Sequence, residues 1–254
     1  MAQIYDHSNI RIATRAKEEH GSFDTVTTVL VTGYGPFLQE HEDNSSWRIA
    51  STLPSILPAT RDHPIPIRIV VYPWPIRVSY QAVLDLVPSL VEKVNPDIIL
   101  HIGLASGRNF YAIEHGAHKS IYGTHIDVDG QGFPQERSDE AFGDLPSILE
   151  TGFDVHDLYR RWKAEIPDAN ADIRTSPDAG NFLCGFIYYT SMSLFAKMKR
   201  AERPVMFFHV PYLSTEEQVD EGREVTKGLI RALDESRARR GTHHGNVGAG
   251  SRNT

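Results

Sequence analysis

Three side chains in this sequence have the types needed for nucleophile, base and orienter, and each lies at the edge of an apolar run. Cys184, the single cysteine of 254 residues, sits in Ser176-Pro-Asp-Ala-Gly-Asn-Phe-Leu-Cys184-Gly-Phe-Ile-Tyr-Tyr189. Pro177 and Asp178 suit a helix start, which places Cys184 within about the first two turns, where unpaired amide groups favour a thiolate. His209 closes the hydrophobic run that begins at Pro204 and precedes a proline-containing loop, the position at which strand ends present catalytic groups. Glu114 ends an extended run after a glycine-rich turn, and alternation places Phe110, Ala112 and Glu114 on one face. A carboxylate there can accept an imidazole N–H and fix its tautomer, completing a set of three. Each residue also has a plainer reading. A lone cysteine on an apolar helix can be a small core residue, a strand-end histidine can be structural, and a glutamate can be an exposed ion-pair partner.

Other patterns fail on detail. Thr32-Gly-Tyr-Gly-Pro-Phe37 follows a strand, yet Leu38 stands where a dinucleotide fingerprint needs glycine, and no Gly-Lys-Ser/Thr completes a phosphate loop. Pro36 also removes a backbone donor. Asp127-Val-Asp-Gly130 resembles the start of a calcium loop, but its glycine comes early and Ser138 occupies the place of the final glutamate, so it reads as a surface turn. His115 and His118 lack the spacing and glutamate of a zinc peptidase helix, which leaves them as solvated histidines.

The elements that must position the three residues alternate along the chain. Apolar strands are expected at Val26–Thr32, Ile65–Tyr72, Asp97–Gly103, Ala171–Arg174 and Pro204–Val210. Helices are expected from Ser45 and over Arg77–Val94, Asp154–Ile166, Asn181–Lys199 and Glu216–Leu233. Such alternation implies an α/β fold, a three-layer αβα sandwich whose central sheet is largely parallel or mixed, with any site at the carboxyl ends of the strands. Residues 25–235 form one domain. Residues 1–24 and 236–254 read as disordered tails, the second carrying Arg237, Arg239 and Arg240.

Composition narrows the setting. Lys and Arg total 26 against 33 Asp and Glu, a net charge of −7, which argues against nucleic acid or an anionic membrane surface as the main partner. One cysteine forms no intrachain disulfide, and no run of about 18 apolar residues could span a bilayer. No secretory signal precedes the first strand. A cytoplasmic enzyme or binding protein is the expectation.

Taken together, the segments resemble the pyroglutamyl peptidase I family of cysteine peptidases over roughly Val29 to Leu233. Thr32-Gly-Tyr-Gly-Pro-Phe37 is similar to its T-G-F-x-P-F, Asn44-Ser-Ser-Trp47 to N-P-S-W, and Gly103-Leu-Ala-Ser-Gly-Arg108 to G-Q-A-G-G-R. Ala179-Gly-Asn-Phe-Leu-Cys184 is similar to the segment around the family nucleophile, and Phe208-His-Val-Pro-Tyr-Leu213 to the one bearing its histidine. The resemblance implies a Cys184, His209 and Glu114 triad that removes amino-terminal pyroglutamyl residues from peptides, with neither metal nor organic cofactor. It further implies Tyr34 and Phe37 around the lactam ring, Asn44, Leu104 and Arg108 near the substrate, and a homo-oligomer, although no segment marks an interface. Cys184 would pair with His209 as thiolate and imidazolium.

Departures from the family pattern fall close to that site. Tyr34 replaces phenylalanine, Ser45 replaces proline, and Leu104 stands where many members carry glutamine. The stretch His115-Gly-Ala-His-Lys119 also differs, and an inserted loop at Tyr122–Arg137 follows it. These changes motivate an alternative, a non-catalytic binding protein for a small ligand or peptide on the same scaffold.

Overall fold

The computed structural model describes residues 26–37, 43–166, 171–198 and 202–240. Its frame is a seven-stranded mixed sheet in the order β2-β3-β1-β4-β9-β5-β8, formed by Ile56–Leu57 (β2), Ile67–Val71 (β3), Thr28–Gly33 (β1), Ile98–Leu104 (β4), Val205–Val210 (β9), Tyr111–Glu114 (β5) and Ile173–Ser176 (β8). β3, β1, β4 and β9 run parallel, and β5 lies antiparallel to β9 while pairing in parallel with β8. Buried on both faces, the parallel strands read as unbroken apolar runs.

Strand alternation sorts those runs between two cores. Val29, Val31, Leu100, Ile102 and Phe208 face the helices Ser45–Ser51 (α1), Val155–Glu165 (α4) and Glu216–Arg240 (α6), where Trp162 and Leu229 are fully covered. Leu30, Ile99, Val205 and Phe207 face Tyr80–Val94 (α2) and Leu183–Lys197 (α5). α5 is buried on nearly every side, from Leu183 to Phe195. The expected three-layer architecture is thus present, with the sheet mixed rather than wholly parallel.

Local capping sets several boundaries. Ser79 accepts the Ala82 N–H and starts α2 three residues later than the periodicity suggests, and Asn95, at φ 45°, ends it. Asp154 caps α4 through the N–H groups of His156 and Asp157. α6 extends past Leu233 because Ser236 is buried on Asp157 and Arg237 reaches Asp97. The expected carboxyl-terminal tail therefore begins too early. Residues 241–254, like the expected tail at 1–24, lie outside the described residues.

Neither the short β-pair Gly116–His118 (β6) with Ile148–Glu150 (β7) nor the helix Gln135–Phe142 (α3) was expected from the residue pattern. α3 buries only Ser138 and Phe142, so its pattern carries little apolar period. The Asp127 turn is present, yet Asp127 is itself buried. Its carboxylate receives the N–H groups of Tyr80, Asp129 and Gln131, joining the inserted loop to the start of α2.

One buried histidine departs from the solvated expectation. His101 on β4 bonds Thr32 Oγ1 of β1 through Nδ1 and Ser191 Oγ of α5 through Nε2, both at 2.7 Å. Burial pushes its pKa down from 6.5 to about 3, so the folded ring is neutral. Below pH 6.5 the unfolded chain binds a proton there that the folded chain refuses, and stability falls as pH falls toward 3. Urea midpoints measured between pH 7 and pH 5 should show wild type losing roughly 1 kcal/mol more per pH unit than His101→Asn. Parallel slopes would mean that the folded imidazole takes up the proton.

Candidate active site

Sheet register brings the site together. Gly103 on β4 pairs with His209 on β9, and Ala112 on β5 pairs with the same His209 across the antiparallel edge. Paired residues point to one face, so His209, Ala112 and Glu114 share the face that α5 covers. From that diagonal position His209 Nδ1 meets Glu114 Oε1 at 2.7 Å. Glu114 is completely buried and His209 nearly so, at 0% and 5% exposure.

The same carboxylate oxygen accepts a second bond from Arg108 at 2.8 Å. Arg108 also reaches Ser176 Oγ of β8 at 3.5 Å, and its guanidinium lies over Phe110. The turn after β4 therefore supplies a cation to a carboxylate that burial would otherwise penalise. Arg108 bonds Glu114 and does not line the neighbouring cleft. Tyr188 Oη of α5 donates to the Glu114 backbone carbonyl at 3.0 Å, tying that strand to the helix bearing the thiol.

Cys184 is the second residue of α5. Pro177 and Asp178 do not begin the helix. Asp178 instead accepts the Gly180 N–H in a tight turn, where Gly180 has φ +84°. The N-cap is Phe182, which provides no side-chain bond, leaving first-turn amides free of a side-chain partner. Gly103 makes room for the sulfur, since a Cβ there would lie 3.0 Å from Cys184 Sγ and 2.5 Å from Phe207. Phe207 in turn packs on the His209 ring at 4.8 Å between centroids. Gly103 thus lies under the Cys184 sulfur of α5 and is paired with His209 on the next strand.

Beside the thiol is a small apolar cleft lined by Tyr34, Phe37, Asn44, Val78, Leu104, Phe182, Leu183 and Cys184, with about 220 Å³ of empty space. That figure includes space open to solvent; the enclosed part is only about 10 Å³, so a ring enters only where the lining side chains give way. Four residues expected near a substrate, Tyr34, Phe37, Asn44 and Leu104, line it with the cysteine. Asn44 has a structural duty as well: its Oδ1 caps α1 through Ser46, and its Nδ2 donates to Gly35 O. Val78, Phe182 and Leu183 were not anticipated. The last two directly precede Cys184, and Phe182 packs on Phe37 at 6.0 Å, whereas nothing in the local pattern marks Val78.

With that geometry established, likeness to known proteins becomes informative. The profile of the family described as Pyroglutamyl peptidase matches residues 27–228. The chain belongs to the pyroglutamyl peptidase family. It is 29% identical over 206 residues to the rat protein named pyroglutamyl-peptidase 1, covering 81% of this chain and 88% of that one. A pyrrolidone-carboxylate peptidase of Brachyspira hyodysenteriae is 27% identical, covering 81% and 94%. The structure of pyrrolidone carboxyl peptidase from Thermococcus litoralis superposes with a TM-score of 0.68 over 87% of this chain and 99% of that one; at 18% identity, this likeness concerns the fold. Among the described residues no helix is long and apolar enough to cross a membrane.

Electrostatics bear on the expected ion pair. Burial pushes the Cys184 thiol up to about 12, the Glu114 charge adds to the rise, and Arg108 opposes it. Among the described residues no hydrogen bond joins thiol to imidazole. The resting sulfur is a neutral thiol, with its proton still to be moved. Iodoacetamide labelling of the ligand-free protein should accelerate about tenfold per pH unit from pH 6 to pH 9, following thiolate abundance. A rate that levels off below pH 8 would establish a preformed thiolate and contradict this picture.

Proposed function

We propose that this protein is a cysteine peptidase that removes amino-terminal pyroglutamyl residues from peptides, with Cys184 as nucleophile, His209 as base and acid, and Glu114 as orienter. The observation that carries the reading is the buried His209 to Glu114 bond on the sheet face that α5 covers with Cys184, beside an apolar cleft lined by Tyr34, Phe37 and Leu104. Membership of the family, and the printed names of its relatives, supply the substrate class.

In this mechanism the flat, uncharged lactam enters between Tyr34, Phe37 and Phe182, with Leu104 as apolar wall and Asn44 holding the loop at its rim. The carbonyl carbon then lies over Cys184. As sulfur bonds to that carbon, its proton passes to His209 Nε2, while Glu114 holds the Nδ1–H and favours the imidazolium that forms. Arg108 holds Glu114 in place. First-turn amides of α5, free of a capping side chain, are the natural donors to the oxyanion, each commonly worth about 3 kcal/mol. Collapse breaks the C–N bond, and His209 returns its proton to the departing amine. A water, deprotonated by His209, then attacks the thioester and releases pyroglutamate with the thiol restored. We place the enzyme in the cytoplasm, where a lone thiol stays reduced.

Purified protein under reducing conditions should release fluorophore from a pyroglutamyl amide at neutral pH. Cys184→Ala should abolish that turnover, and Glu114→Gln should lower kcat by about two to four decades while leaving KM within a few-fold. Full activity in Cys184→Ala would remove the cysteine from the mechanism, and an inert wild-type protein would overturn the activity.

A further inference from the structure

The cleft is unusual in how few polar atoms it can offer a ring. Leu104, Val78, Phe37 and Phe182 carry none on their side chains. Asn44 Oδ1 already accepts two bonds, from Ser46 N at 3.0 Å and Ser46 Oγ at 2.8 Å. Tyr34 is the exception. Its hydroxyl proton is donated to the Leu183 carbonyl at 2.7 Å, one residue before the nucleophile, and the side chain is 4% exposed. With that proton committed, the phenolic oxygen of this cleft-lining residue can serve only as an acceptor. Burial holds its pKa well above the usual phenol value, so the acceptor is uncharged.

A neutral acceptor in an apolar wall selects a neutral donor, because a buried N–H left unpaired is costly and two opposed acceptors are worse. We propose that Tyr34 is a specificity-determining residue whose hydroxyl oxygen reads the ring N–H of a five-membered lactam, a task for which Leu104 has no polar atom. The inference rests on the pyroglutamyl reading above and deepens it. The substrate class becomes rings that carry a donor at that position, and the tyrosine hydroxyl serves at once as lactam acceptor and as a tie on the backbone before Cys184.

The test compares two amides of one fluorophore, pyroglutamyl and 3-oxocyclopentanecarbonyl, the second having CH₂ in place of the ring N–H. Wild type should favour the lactam in kcat/KM by about ten- to a hundredfold. Tyr34→Phe, which keeps the ring, should lose most of that preference, falling on the lactam while the carbocycle changes less than about threefold. An equal fall on both amides would show that the hydroxyl serves only the Leu183 backbone and would overturn the inference, as would an unchanged preference. In either case the pyroglutamyl activity itself would stand. Wild-type protein that cleaves neither amide would overturn the underlying reading and the inference with it.

Discussion

A carboxylate with no exposure has to be given its partners by the fold. Glu114 receives two on one oxygen, an imidazole at 2.7 Å and a guanidinium at 2.8 Å. Removing one member of such a buried set leaves uncompensated charge, which is far more costly than an exposed ion pair is worth. The surrounding architecture can be understood as the means of keeping that cluster in register. β5 must run antiparallel to β9 with Ala112 opposite His209, because a slip of one residue would turn Glu114 to the other face. The turn between β4 and β5 must return Arg108 over the carboxylate, and Tyr188 must hold the strand from the helix side.

The nucleophile is delivered by a different route. α5 is buried nearly all round, so its position follows from packing rather than from an amphipathic stripe, and its cross-links to the sheet are polar: Tyr188 to Glu114 and Ser191 to His101. His101 can take part because it is neutral, its burial having removed the charged form. Gly103 leaves the space that Phe207 and the Cys184 sulfur fill, beside its strand partner His209. Cys184 itself keeps partial exposure, which leaves the sulfur open to a substrate carbonyl.

The main strands and helices were legible in the sequence because their burial is periodic: β1, β4, β9 and α2 all carry runs that only one arrangement can bury. The order Glu114, Cys184, His209 was legible as motifs, and the structure brings the first and last into contact and the second onto the same face. What escaped were features defined by partners far along the chain. β6 and β7 have three residues each, and α3 buries two side chains, so neither writes a period. The bond from Arg108 to Glu114 was not legible either, because it depends on where β5 returns. The protonation state of Cys184 could not be read from its place near a helix start, since burial outweighs that effect. Ser236 looked like part of a polar tail because its partner, Asp157, lies on α4.

The central claim is that these constraints converge on the Cys184 sulfur as an acyl acceptor. Acid-quenching the protein during turnover of a pyroglutamyl substrate, digesting it and weighing the peptides tests this directly. The account predicts a mass increase of one pyroglutamyl group on the peptide containing Cys184, appearing during turnover and gone once substrate is exhausted. Continued turnover in which the Cys184 peptide never gains that mass, or turnover that survives alkylation of Cys184, would contradict it.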